Sequence, residues 1–325
     1  MYIYTPLKKG HYNDYAAFIA KLLFPRKVEI IKEKKSKLRH IFSRRPVLFL
    51  DIDDKDIFWI LLRILSFRKS FALSVSLERV LDKSKPLRAI KNNVLYTIYL
   101  ILKRLGLLRL ISILKDTDFE NKLNNIVSIF IHDIQFYDLD HLNICAVPPV
   151  EISQRQEADG RKVVLIVNNT SSDKKNLNSL SEFIGQTKKY FFIVVGKRDF
   201  LDGERADNYI TIERYVTNEE LLYLMKYVDI IYCYYNNNKP SGFMGRALQL
   251  NKYVIVEDGS HLSRVKYDKV IRLKSLSELE NYTIDNSTSG LADSDYYNDA
   301  ENLKNFLNKN TEFGISETRK HLFKQ

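Results

Sequence analysis

The part of the chain that most constrains its fold is residues 162–257, where short apolar runs alternate with polar loops and helix-length segments. The apolar runs are VVLIVNN, FFIVVG, DIIYCYY and YVIVE. They are apolar throughout rather than at every second residue, which is typical of parallel strands covered on both faces. Between two of them, Thr217 and Glu220 have the spacing of a capping box that begins a helix. The sequence therefore predicts an α/β fold with a parallel sheet.

Three polar loops follow the predicted strands, at 168–176, 196–198 and 236–242. Ligands of parallel α/β sheets bind beyond the carboxyl ends of the strands, so we expect these loops to converge at one edge of the sheet. Their basic side chains are Lys174, Lys175, Lys197, Arg198 and Lys239. The sequence therefore predicts a basic binding site at this edge.

The last of these loops leads into a helix that begins near Gly242. A helix N-terminus presents unpaired backbone N–H groups, and a glycine there lets a diphosphate approach without a Cβ in the way. Ser241 and Gly242 are therefore candidate phosphate contacts. An ordinary βαβ turn is the simpler interpretation of this segment taken alone, because one glycine in a loop is a weak motif.

The order of elements in 162–257 resembles the C-terminal, nucleotide-sugar-binding domain of GT-B glycosyltransferases, and is most like the large retaining group called family 4. The matching stretches are LIVNNTSSDKKNLNSL, IVVGKR, IERYVTNEELLYLMKYVDI and NKPSGFMGRALQLNKYVIV. The resemblance implies two Rossmann-like domains that face each other across a cleft. It also implies a nucleoside-diphosphate sugar as donor substrate, with no resident cofactor.

Several donor-binding positions of the family carry different residues here. The family's arginine falls on Asn168 or Asn169 here, whereas Lys175 matches its lysine partner. The family's paired glutamates fall near Lys239 and on Arg246, so neither carboxylate is present. Lys239 and Arg246 suit phosphate instead, and a solvated helix position is the alternative for Arg246. The predicted donor-binding residues are Gly10, Asn169, Lys175, Gly196, Lys197, Lys239, Ser241, Gly242 and Arg246.

Catalytic residues are sought in the first half, where the resemblance places the loop TPLKKGHYNDY against the donor. His11 in this loop is a candidate, with a structural or surface role as the alternative. The family's His-Asp pair is expected near FALSVSLER, where Glu78 stands, whereas His132 and Asp133 come too late in the chain order. His11 and Glu78 are therefore the predicted catalytic residues.

The first half also alternates between strands and helices. Strands are predicted at 2–4, 28–31, 47–50, 71–75, 126–131 and 143–147, and helices at 14–23, 35–42, 56–65 and over much of 86–114. Two prolines follow the last strand and mark a linker. We therefore expect an acceptor- or membrane-facing domain at 1–150 and a nucleotide-sugar-binding domain at 151–325. The latter ends in helices at 300–307 and 316–323, which in GT-B enzymes cross back to the first domain.

No metal site is predicted. The acidic run LFLDIDDKD looks like a metal or phosphatase motif, but acidic residues at the start of a helix also complement its dipole. Cys145 and Cys233 lie in apolar runs without zinc spacing, so we expect two buried thiols in a reducing compartment.

Charge divides the chain unevenly. Residues 1–115 hold 25 Lys+Arg against 9 Asp+Glu, a net of +16, which leaves 26 against 31, or −5, for the remainder. Within the first part, 83–115 has eight basic residues, no acidic one and long apolar runs. A basic amphipathic helix suits an anionic membrane surface, with Trp59 as an interfacial anchor, and a core helix with solvated lysines is the alternative. No nucleic-acid module is recognised, so nucleic acid is not a predicted partner.

Taken with these patterns, the resemblance to GT-B enzymes implies a metal-independent, hexosyltransferase-like glycosyltransferase. It would be cytoplasmic and peripheral on the inner face of the cytoplasmic membrane. It would move a sugar to a lipid-linked or polysaccharide acceptor in bacterial surface glycan synthesis, such as lipopolysaccharide or capsule. The missing glutamates favour an alternative, a catalytically degenerate GT-B module that binds or scaffolds at the membrane. Nucleic-acid binding through the basic half is a third interpretation.

Overall fold

The computed structural model describes residues 1–5, 12–31, 41–50, 57–66, 68–74, 77–82, 84–113, 115, 117–141, 144–153, 160–168, 177–196, 207–234, 241–284 and 295–312 of the 325-residue chain. The chain forms two compact units. Unit 1 combines Met1–Ile134 with Asp295–Gln325, and unit 2 is the single stretch Gln135–Ser294. Unit 2 thus begins before the predicted linker at Pro148 and Pro149, because the residues after Ile134 hydrogen-bond to a helix of unit 2.

Unit 1 is built on a parallel sheet of six strands in the order β2-β1-β3-β4-β5-β6. The strands are β1 (Tyr2–Tyr4), β2 (Glu29–Ile31), β3 (Val47–Phe49), β4 (Ser70–Ser74), β5 (Leu108–Ser112) and β6 (Val127–Phe130). The helices between them are α1 (Tyr12–Leu22), α2 (Ile57–Leu65), α3 (Pro86–Arg104) and α4 (Thr117–Leu123), and a 3-10 turn spans Leu77–Leu81. Ile3 and Leu48, which lie in strands that the sequence predicted, are fully buried, and so is Ile111 of β5.

Arg63 is an arginine whose side chain is buried in unit 1. The Arg63 guanidinium on α2 donates to the carbonyls of Ile41, Ser43 and Arg45, and its Nε donates to the carbonyl of Lys69. Carbonyl dipoles thus solvate the charge that burial removes from water. Burial, with the nearby Arg68 charge, lowers the pKa of Arg63 to about 10, so the group stays protonated at neutral pH.

Unit 2 has a second parallel sheet of six strands, in the order β12-β11-β10-β7-β8-β9. The strands are β7 (Lys162–Asn168), β8 (Tyr190–Gly196), β9 (Tyr209–Ile212), β10 (Ile230–Tyr232), β11 (Tyr253–Glu257) and β12 (Val270–Leu273). The helices are α5 (Val150–Ser153), α6 (Leu177–Gln186), α7 (Asn218–Tyr227) and α8 (Gly242–Gln249), with 3-10 turns at Ile134–Phe136, Leu139–His141, Leu262–Arg264 and Leu276–Asn281.

The last described helix, α9 (Asp295–Glu312), belongs to unit 1. Its Leu303 and Leu307 are fully buried, and the ring of Phe306 meets Phe71 of β4 edge to face at 6.3 Å. The sequence predicted a helix at 300–307 that returns to the first domain, and α9 confirms it. The second predicted helix, at 316–323, lies outside the described residues.

Three other expectations differ from the structure. The predicted helix over much of 86–114 ends at Arg104, and β5 follows, because Gly106 takes a φ of +68° that stops the helix. The strand predicted at 143–147 is absent from its described part, where residues 144–149 have no regular structure. Cys145 is exposed rather than buried, because it lies in this irregular segment, whereas Cys233 is buried as expected.

Candidate functional site

The strand order of unit 2 reverses between β7 and β10. From β7 the chain passes outward to β8 and β9, and then returns to add β10 on the other side of β7. Ile230 and Ile231 of β10 pair with Val164 and Leu165 of β7. The loops that follow β7 and β10 therefore leave from adjacent carboxyl ends. This topological switch point is where open α/β sheets bind their ligands.

Most of the predicted donor-binding side chains lie in segments that follow strands of this sheet in the chain. Residues 169–176 follow β7, 197–206 follow β8 and 235–240 follow β10. These segments carry Asn169, Lys175, Lys197 and Lys239, which lie outside the described residues, so their contacts stay predictions. The order of the strands supports their assignment to one edge, because β10, β7 and β8 are neighbours in the sheet.

Gly196 ends β8 beside this edge. It pairs in register with Asn168, the last residue of β7. Its φ is +103°, a backbone conformation that residues with a Cβ rarely adopt. The glycine predicted from the IVVGKR stretch is thus required by the backbone at the point where the chain leaves the sheet.

The N-terminus of α8 is the best-described element of the site. Ser241 is its N-cap, and the hydroxyl oxygen of Ser241 accepts a hydrogen bond from the Met244 N–H at 3.3 Å. Other N–H groups of the first turn have no partner within the helix and carry the positive end of its dipole. The helix thus begins at Gly242, as the sequence predicted.

Gly242, however, makes room for a part of the protein itself. A Cβ on Gly242 would lie 1.4 Å from Oε1 and 2.3 Å from Cδ of Gln135. A Cβ on Gly245, one turn later, would lie 2.6 Å from Cδ2 of Phe136 and 2.7 Å from the carbonyl oxygen of Gln135. The two glycines therefore let the turn Ile134–Phe136 pack directly on α8. A diphosphate contact by the Gly242 N–H stays a prediction.

Arg246 has a different partner from the predicted phosphate. Its guanidinium forms a forked ion pair with Asp138, with Nη2 2.6 Å from Oδ2 and Nε 3.3 Å from Oδ1. The side chain of Arg246 is 11% exposed and that of Asp138 is 0% exposed, so the alternative of a solvated helix position for Arg246 is wrong. A phosphate contact by Arg246 stays a prediction.

Gln249 completes this contact between α8 and the segment that precedes it. Its Nε2 donates to the carbonyl of Gln135 at 2.7 Å and to Oδ1 of Asp138 at 3.3 Å. Its Oε1 accepts from the N–H of Leu139 at 2.9 Å. The side chains of Arg246 and Gln249 thus fasten residues 135–139 to the helix whose N-terminus is the candidate phosphate site. No sequence pattern predicted a role for Gln135, Asp138 or Gln249.

The predicted catalytic residues, His11 and Glu78, belong to unit 1. Gly10 and His11 lie outside the described residues. Glu78 is in the turn Leu77–Leu81 directly after β4, where the resemblance expects its His-Asp pair, but its side chain is not described. The catalytic assignments of His11 and Glu78 therefore stay predictions.

The His-Asp sequence at 132–133 marks a polar cluster at the carboxyl end of β6 in unit 1. Nδ1 of His132 is 2.7 Å from Oδ2 of Asp299 on α9, and the His132 N–H donates to the same oxygen at 2.8 Å. Lys115 Nζ donates to the other carboxylate oxygen at 3.0 Å. Burial raises the pKa of Asp299, but the hydrogen bonds from His132 and Lys115 outweigh it and leave the pKa below its ordinary value.

Asp133, the second residue of that sequence, accepts a hydrogen bond from the Tyr15 hydroxyl of α1 at 2.8 Å. Within unit 1 the two residues therefore fasten different helices, α1 and α9, to the end of one strand. Asp299 could not be found from sequence spacing, because 167 residues separate it from His132.

Within the described ranges, no group of three or more His, Cys, Asp and Glu side chains is arranged to hold a metal ion. The acidic run at 51–56 lies outside those ranges.

No protein family matches the sequence of the chain, and no curated protein matches it. In structure it is similar to HepE from Anabaena in complex with UDP and glucose, with a TM-score of 0.58, 12% identity and coverage of 99% of this chain and 98% of HepE. It is also similar to a sucrose-phosphate synthase from Thermosynechococcus elongatus, with a TM-score of 0.54, 11% identity and coverage of 99% of both chains.

At such low identity these likenesses show the fold alone. The chain has the fold of GT-B glycosyltransferases, with two α/β units that each carry a six-stranded parallel sheet. The predicted fold class is confirmed. The assignment to the retaining family 4 stays a prediction.

Proposed function

We propose that this protein is a glycosyltransferase that uses a nucleoside-diphosphate sugar as donor. The observation that carries the proposal is the position of α8. Its capped N-terminus follows β10, the strand that pairs with β7 at the switch point of the sheet in unit 2. The solved structures of HepE, which share the fold, contain UDP and glucose or UDP-glucose, so UDP-glucose is the first donor to test.

In the proposed reaction, the bond between the anomeric carbon and the diphosphate breaks, and the electron pair stays on the diphosphate. Backbone N–H groups at the start of α8 would stabilise this charge, together with Lys175, Lys197 and Lys239. An acceptor hydroxyl forms the new bond and loses its proton, and Glu78 or His11 is the proposed base. We propose hexose transfer that needs neither a metal ion nor a resident cofactor, so a chelator should leave turnover unchanged.

We propose that the acceptor is a lipid-linked or polysaccharide glycan of a bacterial cell surface, such as lipopolysaccharide or capsule. The protein would act at the inner face of the cytoplasmic membrane. The net charge of +16 in residues 1–115 supports an anionic surface as partner, because such a surface attracts clustered Lys and Arg.

The alternative is a degenerate GT-B module that binds or scaffolds without catalysis. Two observations favour it. The paired glutamates of family 4 are absent, and one of their positions carries Arg246 in a buried ion pair with Asp138. In addition, Gln135 fills the space beside Gly242.

Thermal unfolding with UDP, UDP-glucose, GDP, ADP and CMP tests the donor site. A ligand at about 100 times its Kd adds roughly 2.7 kcal/mol to the free energy of unfolding. We expect stabilisation by UDP and UDP-glucose that Lys175→Ala abolishes and that Lys266→Ala, which changes an exposed lysine elsewhere in unit 2, retains. Absence of any nucleotide effect would favour the scaffold, whereas release of UDP from UDP-glucose with an acceptor would exclude it.

A further inference from the structure

Helix α3 in unit 1 exposes an apolar stripe. Five large apolar side chains, between 51% and 84% exposed, recur every three, four or seven residues along the helix and its C-cap. They are Leu87, Ile90, Val94, Ile101 and Leu105. This spacing places them on one face. The face toward the sheet is a different one, because it buries Asn92, Tyr99 and Leu102.

Helix α2 also carries exposed apolar side chains. Its Phe58 and Leu65 are 60% and 76% exposed. The buried residues Ile60 and Ile64 of α2 share a core cluster with Tyr99 and Leu102 of α3, so both helices cover the same face of the sheet. Seven of the thirteen exposed large apolar side chains in the described chain therefore lie on α2, α3 and its C-cap. Such side chains are normally scattered singly, and a concentration of them marks an interaction surface.

The charged residues around the apolar stripe indicate which kind of partner it suits. Helix α3 carries Arg88, Lys91, Lys103 and Arg104 and no acidic residue. Lys91 lies one turn from Leu87 and from Val94, and Arg104 lies one turn from Ile101, so exposed cations border the apolar side chains. A second copy of this helix would bring like charges together, which is unfavourable. An anionic lipid surface complements both the charge and the apolar stripe.

We infer that this α2–α3 face, formed by Leu87, Ile90, Val94, Ile101 and Leu105 with Phe58 and Leu65, docks the protein on an anionic bilayer. The inference rests on the membrane location proposed above and adds the surface that makes the contact. Helix α3 lies along the bilayer, with its apolar side chains at headgroup depth. No helix in the described ranges is both long and apolar enough to cross a membrane.

Phe58 is the exposed aromatic residue of this face. Trp59 is partly buried against the core of unit 1, with its ring 5.3 Å from that of Phe58. We therefore include Phe58 in the proposed docking face, and an interfacial role for Trp59 stays a prediction.

Co-sedimentation with vesicles tests the inference. We compare phosphatidylcholine vesicles with mixed phosphatidylcholine and phosphatidylglycerol vesicles, using wild type and the double variant Ile90→Glu/Val94→Glu. We expect wild type to bind the anionic vesicles, less so at high salt, and the double variant to bind at least about tenfold more weakly, because two apolar side chains no longer insert. Phe24→Glu is the matched control, since Phe24 is 79% exposed in unit 1 but lies on neither helix, and it should bind like wild type.

Two results of the vesicle assay would overturn the inference. Either the wild type does not bind anionic vesicles, or the double variant binds them as well as the wild type does. A dimer of the wild type that the double variant loses would assign the face to a second copy instead. Thermal unfolding with UDP is run on all variants. An unchanged UDP effect in the double variant separates the docking face from the donor site, so that either proposal can fail without the other.

Discussion

At the scale of single residues, the buried ion pair between Arg246 and Asp138 is sensitive to the loss of either partner. Arg246→Met would leave the Asp138 carboxylate buried without its cation, which costs about 3–5 kcal/mol. We expect a loss of this order in the free energy of unfolding measured with urea. Arg246→Met/Asp138→Leu, which removes both charges, should recover part of it. A single variant as stable as wild type would contradict this account.

The contact between Gly242 and Gln135 gives a second prediction. Gly242→Ala should destabilise unit 2 by about 1–3 kcal/mol, because the new methyl group overlaps the Gln135 side chain. Adding Gln135→Ala removes the two nearest atoms, so the double variant should lose less than the sum of the single losses. Gly185→Ala in α6 is the control, since nothing lies within 4 Å of its Cβ, and it should be neutral or slightly stabilising.

Asp299 gives a prediction on pH. Its pKa in the folded protein is lowered, against the effect of burial, by hydrogen bonds from His132 and Lys115. Stability from this carboxylate is therefore present above its unfolded pKa of about 4 and is lost as the pH falls through the lower folded value. Urea unfolding between about pH 5 and pH 2.5 should show a steeper loss for wild type than for Asp299→Asn. Equal slopes would mean that Asp299 has an ordinary pKa.

At the scale of elements, α7 begins with the capping box that the sequence predicted. Thr217 Oγ1 accepts from the Glu220 N–H at 3.2 Å, and the Glu220 carboxylate accepts from the Thr217 N–H at 2.9 Å. Thr217→Ala should cost about 1 kcal/mol in urea unfolding. Thr97→Ala inside α3 should be neutral or stabilising, because Thr97 caps nothing and alanine is the better helix former.

Sequence patterns predicted the elements whose causes are local. The capping box at Thr217, the all-apolar strands β7 and β8, and the junction at Ser241 were all predicted because neighbouring residues determine them. The helix predicted through β5 was wrong, because the run LLRLISIL suits a buried strand as well as a helix. The positive φ of Gly106 ends α3, and β5 begins at Leu108.

The candidate site was predicted less completely, because its described contacts join distant parts of the chain. Arg246 and Asp138 are 108 residues apart, and His132 and Asp299 are 167 apart. Periodicity and spacing carry no information on such pairs. The Gly242 prediction identified the correct residue, but packing against Gln135 is a reason for the glycine that no local pattern reveals.

At the scale of the whole molecule, α9 joins the far end of the chain to unit 1. A chain that ends at Ser294 would lose buried Leu303 and Leu307 and leave His132 and Lys115 without Asp299. We expect unit 1 of this shortened chain to unfold at a clearly lower temperature in calorimetry. The UDP-induced stabilisation of unit 2, if the donor proposal holds, should remain. Unfolding of unit 1 at the wild-type temperature would show that α9 adds no stability.

The return of α9 also sets an order for folding during synthesis. Unit 2 is one continuous stretch, so its core is complete once its own residues have left the ribosome. Unit 1 begins earlier but lacks its final helix until all of unit 2 has been made. Domains usually fold in the order of their synthesis. Unit 2 can therefore complete its core while unit 1 still lacks α9, and until then unit 1 exposes the surface that α9 covers.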